Sequence, residues 1–331
     1  MGSAESSSPT CCQADVSSLS DSPERPSLKG SLQLTTETYD RIRRRQINSE
    51  EAKLHNKDAI AKLKHHSLST VAEEEPNSKL RIQRILQVAA TSKQLRLKVL
   101  SSNLLQKSSI INVSPLGCEN ALRAAKDGVT YFGSQERDKA EGHLKGPILN
   151  DFLIPIEHQE PHPGQHFQIR FDPYTNTYRL KDLGMGLGAY TKVEAALPLK
   201  DSTILHVGES FLVAQIIQRP NMKKFPRLQL KVYGGNCCGE IFYFNSTEYY
   251  EKKVRIGRAP SCEVHIEDTL ISKVQVCVFF NTQEGWIAVD GDMDTQRAST
   301  NGTWLYARDE VEMYNGLVFK ANQTLFQALL V

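Results

Sequence analysis

Residues 254–303 read VRIGRAPSCEVHIEDTLISKVQVCVFFNTQEGWIAVDGDMDTQRASTNGT. Apolar and polar residues alternate in short runs within this stretch, as at Val274, Val276 and Val278, and Gly, Asn and Asp separate the runs. Alternation with a period of two indicates β-strands with one buried face, and turn residues at roughly 8–12-residue intervals favour an antiparallel β-sandwich over βαβ units. The same texture begins near residue 128. We therefore predict an all-β fold from there onward.

Three turns of this stretch carry polar and basic side chains. These side chains are Arg258, Ser272, Lys273, Thr300 and Asn301. Because turns at one end of a sandwich converge, a guanidinium, an ammonium and two hydroxyls would meet there. Such a set of donors suits a phosphate dianion, since Arg offers a planar fork of N–H groups and Lys a point charge. The spacing therefore predicts an anion site, although each residue alone is equally typical of an ordinary surface turn.

The stretch resembles the forkhead-associated (FHA) domain, a β-sandwich that binds phosphothreonine in peptides. The family pattern is Gly-Arg, then Ser-Arg-x-His, then a turn of the form Ser/Thr-x-x-Asn-Gly-Thr. Gly257-Arg258 and residues 299–303 (STNGT) match this pattern. Residues 272–275 (SKVQ) match it with Lys in place of Arg and Gln in place of His. The resemblance covers about residues 228–331.

The resemblance assigns roles to individual residues. It implies that the phosphate is faced by Arg258, Ser272, Lys273 and Thr300, and that Asn301 bonds the main chain of the bound peptide. It implies a loop scaffold formed by Gly257, Gln275, Gly302 and Thr303. The partner would be a phosphothreonine-containing protein, and no cofactor or metal is implied.

Residues 128–218 look like a second, diverged copy of the pattern. Gly133 lies 124 residues before Gly257, and Gly188 lies 114 residues before Gly302. Such similar offsets favour two sandwiches in tandem. We place them at residues 128–218 and 226–331.

The first copy lacks the residues that would bind phosphate. Ser134 replaces the Arg, Pro163 the Ser and Leu187 the Asn, while His166 remains. Without a guanidinium, this copy is predicted to be a degenerate FHA-like sandwich that packs against the second copy or offers another face to a partner.

The N-terminal third has a different character. Residues 1–35 contain ten serines and three prolines, with little apolar surface to offset the entropy of ordering, which predicts a disordered tail. Residues 36–110 are predicted to be helical and basic, with a basic amphipathic helix at 79–107 that holds seven basic residues and no acidic one. Such a helix contacts an acidic partner or an anionic membrane, or packs its apolar stripe on the rest of the chain.

The first residues, MGSAES, fit the pattern for N-myristoylation at Gly2, and Cys11 and Cys12 are candidate palmitoylation sites. Because one acyl chain binds membranes only marginally, a second chain or the basic helix would be needed. The alternative is a chance match in a Ser-rich tail. The seven cysteines include no C-x-x-C pair, which favours a reducing compartment. We expect an intracellular protein, cytoplasmic or nuclear, that is peripheral to a membrane if acylated.

Composition and motifs exclude several classes of function. The net charge of +2 gives no reason to expect nucleic-acid binding. The segment GMGLGA at 184–189 resembles a dinucleotide-binding loop, but Pro198 leaves too little room for the helix that must follow. His158, His162 and His166 are spaced by four, but the intervening prolines break any helix that would align them on a metal. We find no catalytic set and predict that the chain is not an enzyme.

Two functions remain open at this stage. The first is a phosphothreonine-peptide-binding adaptor that acts through residues 226–331. The second is a structural scaffold of two tandem sandwiches that assembles by phosphate-independent contacts.

Overall fold

A computed structural model describes residues 79–137, 146–154, 164–218, 224–250 and 252–331. Within these ranges the chain forms one helix, α1 (79–88), and short strands. The strands are β1 Leu95–Ser101, β2 Ile110–Ser114, β3 Gly117–Cys118, β4 Val129–Gly133, β5 Phe152–Leu153, β6 Gln165–Asp172, β7 Thr177–Asp182, β8 Ala189–Lys192, β9 Leu197–Pro198, β10 Ile204–Val207, β11 Ser210–Ile217, β12 Arg227–Tyr233, β13 Ile241–Asn245, β14 Val254–Gly257, β15 Val264–His265, β16 Val276–Asn281, β17 Gly285–Asp290, β18 Trp304–Tyr306, β19 Val311–Met313, β20 Val318–Ala321 and β21 Thr324–Leu330. The all-β prediction is confirmed.

The strands build two sandwiches that share one long sheet. In the first sandwich, the sheet β5-β4-β6-β7-β19 packs on β3-β2-β1-β21-β20-β8, and in the second, β15-β14-β16-β17-β9 packs on β13-β12-β11-β10-β18. Antiparallel pairing of β8 with β18 joins the second-named sheet of each sandwich into one eleven-stranded sheet. Each sandwich has its own apolar core, with Phe132 and Phe167 stacked in the first and Trp286 buried in the second.

The two sandwiches have the same strand order. Reading outward from the β8–β18 pair, β20, β21, β1 and β2 on one side correspond to β10, β11, β12 and β13 on the other. The outer sheets correspond in the same way, with β4, β5, β6, β7 and β19 equivalent to β14, β15, β16, β17 and β9. The molecule therefore has an internal pseudo-twofold relation centred on β8 and β18.

The chain crosses between the sandwiches twice, which corrects the predicted segment boundaries. It leaves the first sandwich after Lys192 and returns after Tyr306, so residues 197–217 complete the second sandwich and residues 311–330 complete the first. Neither 128–218 nor 226–331 closes a sandwich by itself. The reason is that the last three strands of each segment pair with the neighbouring copy rather than with their own.

The predicted helix at 79–107 is wrong beyond residue 88. Leu95, Leu97 and Val99 are fully buried, while Arg96 between them is exposed, and this alternation is that of a strand with one buried face. The strand formed is β1, which lies between β2 and β21. The tail at 1–35 and the predicted helical residues 36–78 lie outside the described residues.

Helix α1 packs on the first sandwich. Ile85 is fully buried in its core. The Arg81 guanidinium donates hydrogen bonds to the carbonyl oxygens of Asp127 and Phe171, each at 2.7 Å. No helix within the described ranges is long and apolar enough to cross a membrane.

Candidate functional site

The first loop of the site follows β14. Gly257 lies so close to the neighbouring loop that a Cβ there would stand 2.3 Å from the carbonyl oxygen of Lys273. This close approach allows the N–H groups of Arg258 and Ala259 to donate to the carbonyl oxygens of Ser272 and Lys273, at 3.1 and 3.0 Å. The Gly-Arg turn is therefore tied by its backbone to the Ser-Lys turn.

The second and third loops meet through two hydroxyl groups. The Ser272 hydroxyl lies 3.3 Å from the Thr300 hydroxyl, and it accepts a hydrogen bond of 2.9 Å from the Thr300 N–H. These contacts join residues 28 positions apart in the sequence. The turns that carry Arg258, Ser272, Lys273 and Thr300 thus converge at one end of the second sandwich.

Gln275 lies beneath these loops and is fully buried. Its side-chain oxygen accepts a hydrogen bond of 2.9 Å from the Ser272 N–H. Its amide nitrogen donates to the Ser299 hydroxyl at 2.8 Å and to the Gly302 carbonyl at 2.9 Å. Thr303, also buried, lies 3.4 Å from the same amide. One side chain therefore sets the spacing of two loops.

Asn301 lies at the rim of the site. Its side-chain amide nitrogen donates to the Leu270 carbonyl at 2.5 Å, and its main-chain carbonyl accepts a hydrogen bond of 3.1 Å from the Trp304 indole. Gly302 then turns the chain into β18 at a φ of +76°, a conformation that favours glycine. Asn301 is an exposed residue, and its side-chain oxygen accepts no hydrogen bond within the described residues.

The site has two cations without carboxylate partners. Arg258 and Lys273 are both exposed, and neither side chain has a hydrogen bond or ion pair in the part of the chain that the structure describes. Two nearby cations do have carboxylate partners: Arg255 pairs with Glu263 at 3.3 Å, and Lys253 pairs with Asp294. Converging turns that carry an unpaired guanidinium, an unpaired ammonium and two linked hydroxyls form a place where an anion can gain donors without displacing an existing ion pair.

Among the described residues, the equivalent place in the first sandwich carries no counterpart of Arg258. Strand register makes Gly133 equivalent to Gly257 and His166 equivalent to Gln275. His166 is buried, with its Nε2 3.1 Å from the Ser134 hydroxyl and its Nδ1 2.6 Å from the Asn322 amide. Ser134 occupies the position of Arg258, so a guanidinium is missing.

Other residues singled out from the sequence lie elsewhere. Residues 184–189 form a turn that leads into strand β8, not the helix that a dinucleotide site needs. No group of potential metal ligands occurs among the described residues. Several positions lie outside those residues, namely Gly2, Cys11, Cys12, His158, His162 and Pro163.

Residues 254–319 match the FHA domain family model. The FHA domain is a phosphothreonine-binding module. No curated protein and no solved structure matched the chain. The matched segment starts in β14 of the second sandwich and runs into β20 of the first, so it crosses the boundary between them. This one FHA match therefore includes strands that belong to both sandwiches.

Sequence reasoning missed one neighbour of the site. Lys192 of β8 lies opposite Trp304 in the pairing of β8 with β18. A Cβ at Gly302 would stand 3.2 Å from the Lys192 Cε, so the lysine stem lies against the turn that carries Asn301. No motif marks Lys192, because its position depends on the strand pairing that joins the sandwiches.

Proposed function

We propose that this chain is a phosphothreonine-peptide-binding adaptor that acts through the loops of its second sandwich. The observation that supports the proposal most directly is that two exposed, unpaired cations, Arg258 and Lys273, lie on the same converging turns as the linked hydroxyls of Ser272 and Thr300. Hydrogen bonds to charged groups contribute about 1.5–3 kcal/mol each, so this set is sufficient to favour a phosphorylated threonine over a free one.

Asn301 extends the proposed site from the phosphate to the peptide. Its amide nitrogen donates to the Leu270 carbonyl, which holds the side chain in place, while its side-chain oxygen accepts no hydrogen bond among the described residues. That oxygen is suited to accept a main-chain N–H of an extended peptide. Arg258 and Lys273 would then bind the phosphate and Asn301 the adjacent backbone.

The first sandwich is, in this proposal, a degenerate FHA-like copy. Its strand order is the same, but Ser134 stands where Arg258 stands in the second sandwich. It would act as a structural companion, and the adaptor would reach other partners through its own surface and the N-terminal region. A phosphothreonine ligand, and the free thiols of the described cysteines, fit an intracellular location.

The test uses the full chain and fluorescent peptides from a phosphothreonine library, each matched with its unphosphorylated form. The expected result is binding that requires the phosphate and that falls at least tenfold in Arg258→Ala, the loss of one or two charged hydrogen bonds. Arg308→Ala is the matched control, because Arg308 is an exposed arginine on the return segment to the first sandwich. Equal affinity for both forms of the peptides, or full binding by Arg258→Ala, overturns the proposal.

The competing function is a structural scaffold that assembles without phosphate. The observation that favours it is the chemistry of residues 273 and 275, where Lys and Gln replace the Arg and His of the family pattern. Partners recovered with the full chain before and after phosphatase treatment distinguish the two functions. Recovery that survives phosphatase, and is unchanged in Arg258→Ala, supports the scaffold.

A further inference from the structure

We propose that Lys192, a residue of the first sandwich, completes the peptide site of the second sandwich and selects an acidic residue near the phosphothreonine. This inference rests on the proposed function and adds the chemical class of peptide that the site prefers, namely one with a carboxylate or second phosphate flanking the phosphothreonine.

The contact that carries the proposal lies at Gly302. The absence of a side chain there lets the Lys192 stem and the Trp304 indole both lie against the turn, at 3.2 Å and 3.5 Å from the position of a Cβ. Lys192 and Trp304 are also directly opposed in the β8–β18 ladder. The lysine is therefore held beside the turn by backbone pairing and by packing of its methylene groups.

The Lys192 ammonium is available to a ligand. Lys192 is half-buried, and its side chain has no hydrogen bond or ion pair among the residues that the structure describes. The carboxylate nearest in sequence, Glu194, accepts a hydrogen bond from the Tyr314 hydroxyl. A carboxylate from a peptide would thus meet an uncommitted cation.

The distance along the chain indicates which peptide position is involved. Gly302 follows Thr300 by two residues, which separates their Cα atoms by at most about 7 Å. An extended peptide advances about 3.3 Å per residue. Lys192 would therefore meet a side chain one or two residues away from the phosphothreonine, on the side where the peptide passes Asn301.

The experiment measures binding of full-length protein to phosphothreonine peptides in which each position within three residues of the mark carries Asp or, in the matched peptide, Asn. We expect Asp to bind about two- to fivefold more tightly than Asn at a position one or two residues away, as for a partly exposed ion pair. Lys192→Met should abolish this difference, and Lys192→Glu should reverse it. Methionine keeps the stem that packs on Gly302, so folding is retained.

The control is Lys200→Glu, which changes the charge by the same amount. Lys200 is exposed and lies at the opposite end of β17 from the site. Its neighbour Leu199 donates its N–H to the Trp286 carbonyl near the start of β17, whereas the Ser299 turn of the site contacts Asp290 at the end of that strand. An Asp preference that persists in Lys192→Met, or that is absent in the native protein, overturns this proposal. Loss of all phosphate dependence would instead overturn the proposed function, and Arg258→Ala reports on that separately.

Discussion

Replacing Gln275 by alanine should unfold the second sandwich at a lower denaturant concentration and disorder its loops. The fully buried side chain makes hydrogen bonds with the Ser272 N–H, the Ser299 hydroxyl and the Gly302 carbonyl. Each such bond contributes about 1 kcal/mol net, and the groups left unsatisfied in the interior add to the cost. We expect a loss of about 3–4 kcal/mol in the free energy of unfolding.

Tryptophan fluorescence provides a local assay for this change. Both tryptophans of the chain, Trp286 and Trp304, lie in strands of the second sandwich. With a slope of about 2–3 kcal/mol per molar urea, the transition should move down by more than about 1 M. Gln283→Ala, at an exposed glutamine in the turn between β16 and β17, should leave the transition within about 0.2 M of its native value.

The result for peptide binding follows from the same contacts. Because Gln275 positions both Ser272 and the turn at Gly302, its loss should weaken phosphopeptide binding even at temperatures where the protein remains folded. A Gln275→Ala variant that loses less than about 1 kcal/mol would refute the reasoning, since it would mean that backbone contacts alone hold the loops.

Three further predictions follow from the described geometry. Gly257→Ala should lower the melting temperature and abolish phosphopeptide binding, because its Cβ would lie 2.3 Å from the Lys273 carbonyl oxygen; calorimetry and titration test this, and unchanged values of both contradict it. Burial lowers the pKa of Lys320, which lies beside His206, from 10.5 to about 7. Between these pH values the native state binds fewer protons than the unfolded state, so the free energy of unfolding should rise with pH by up to about 1.4 kcal/mol per pH unit. Urea titrations at several pH values should show this rise in the native protein and its loss in Lys320→Met. A fragment of residues 193–306 should give a cooperative unfolding transition, whereas a fragment of residues 226–331 should not, because only the first contains all the strands of one sandwich; the reverse outcome would show that the strands are not exchanged.

From residue 128 onward, local patterns in the sequence were sufficient to predict β-strands and the convergence of the loops. Alternation at Val274, Val276 and Val278 and the turn residues around Gly257 and Gly302 depend on neighbours in the chain, so they are visible in one sequence. The order of Arg258, Ser272 and Thr300 then predicted which turns would meet. The structure places those turns together.

The destination of each strand was not visible in the sequence. Residues 197–217 and 311–330 both alternate and occupy equivalent places in the two sandwiches, so their patterns fit either copy. Only the pairing partners decide between them, and pairing is a long-range property. The helix predicted beyond residue 88 failed for a related reason, since the buried positions of β1 alternate but are covered by β21 from the far end of the chain.

Strand exchange makes the proposed peptide site a property of both sandwiches. The Thr300–Gly302 turn leads directly into β18, which lies between β10 and β8. Strand β8 belongs to the first sandwich, and β10 follows the first crossing of the chain into the second sandwich. The two crossings are held by equivalent hydrogen bonds, from the Val193 N–H to the Thr303 carbonyl and from the Ala307 N–H to the Ala189 carbonyl, each 2.9 Å long. The first sandwich, through the pairing of β8 with β18, therefore helps to fix the position of the turn that carries Asn301. On this argument the first sandwich contributes geometry to the proposed site of its neighbour.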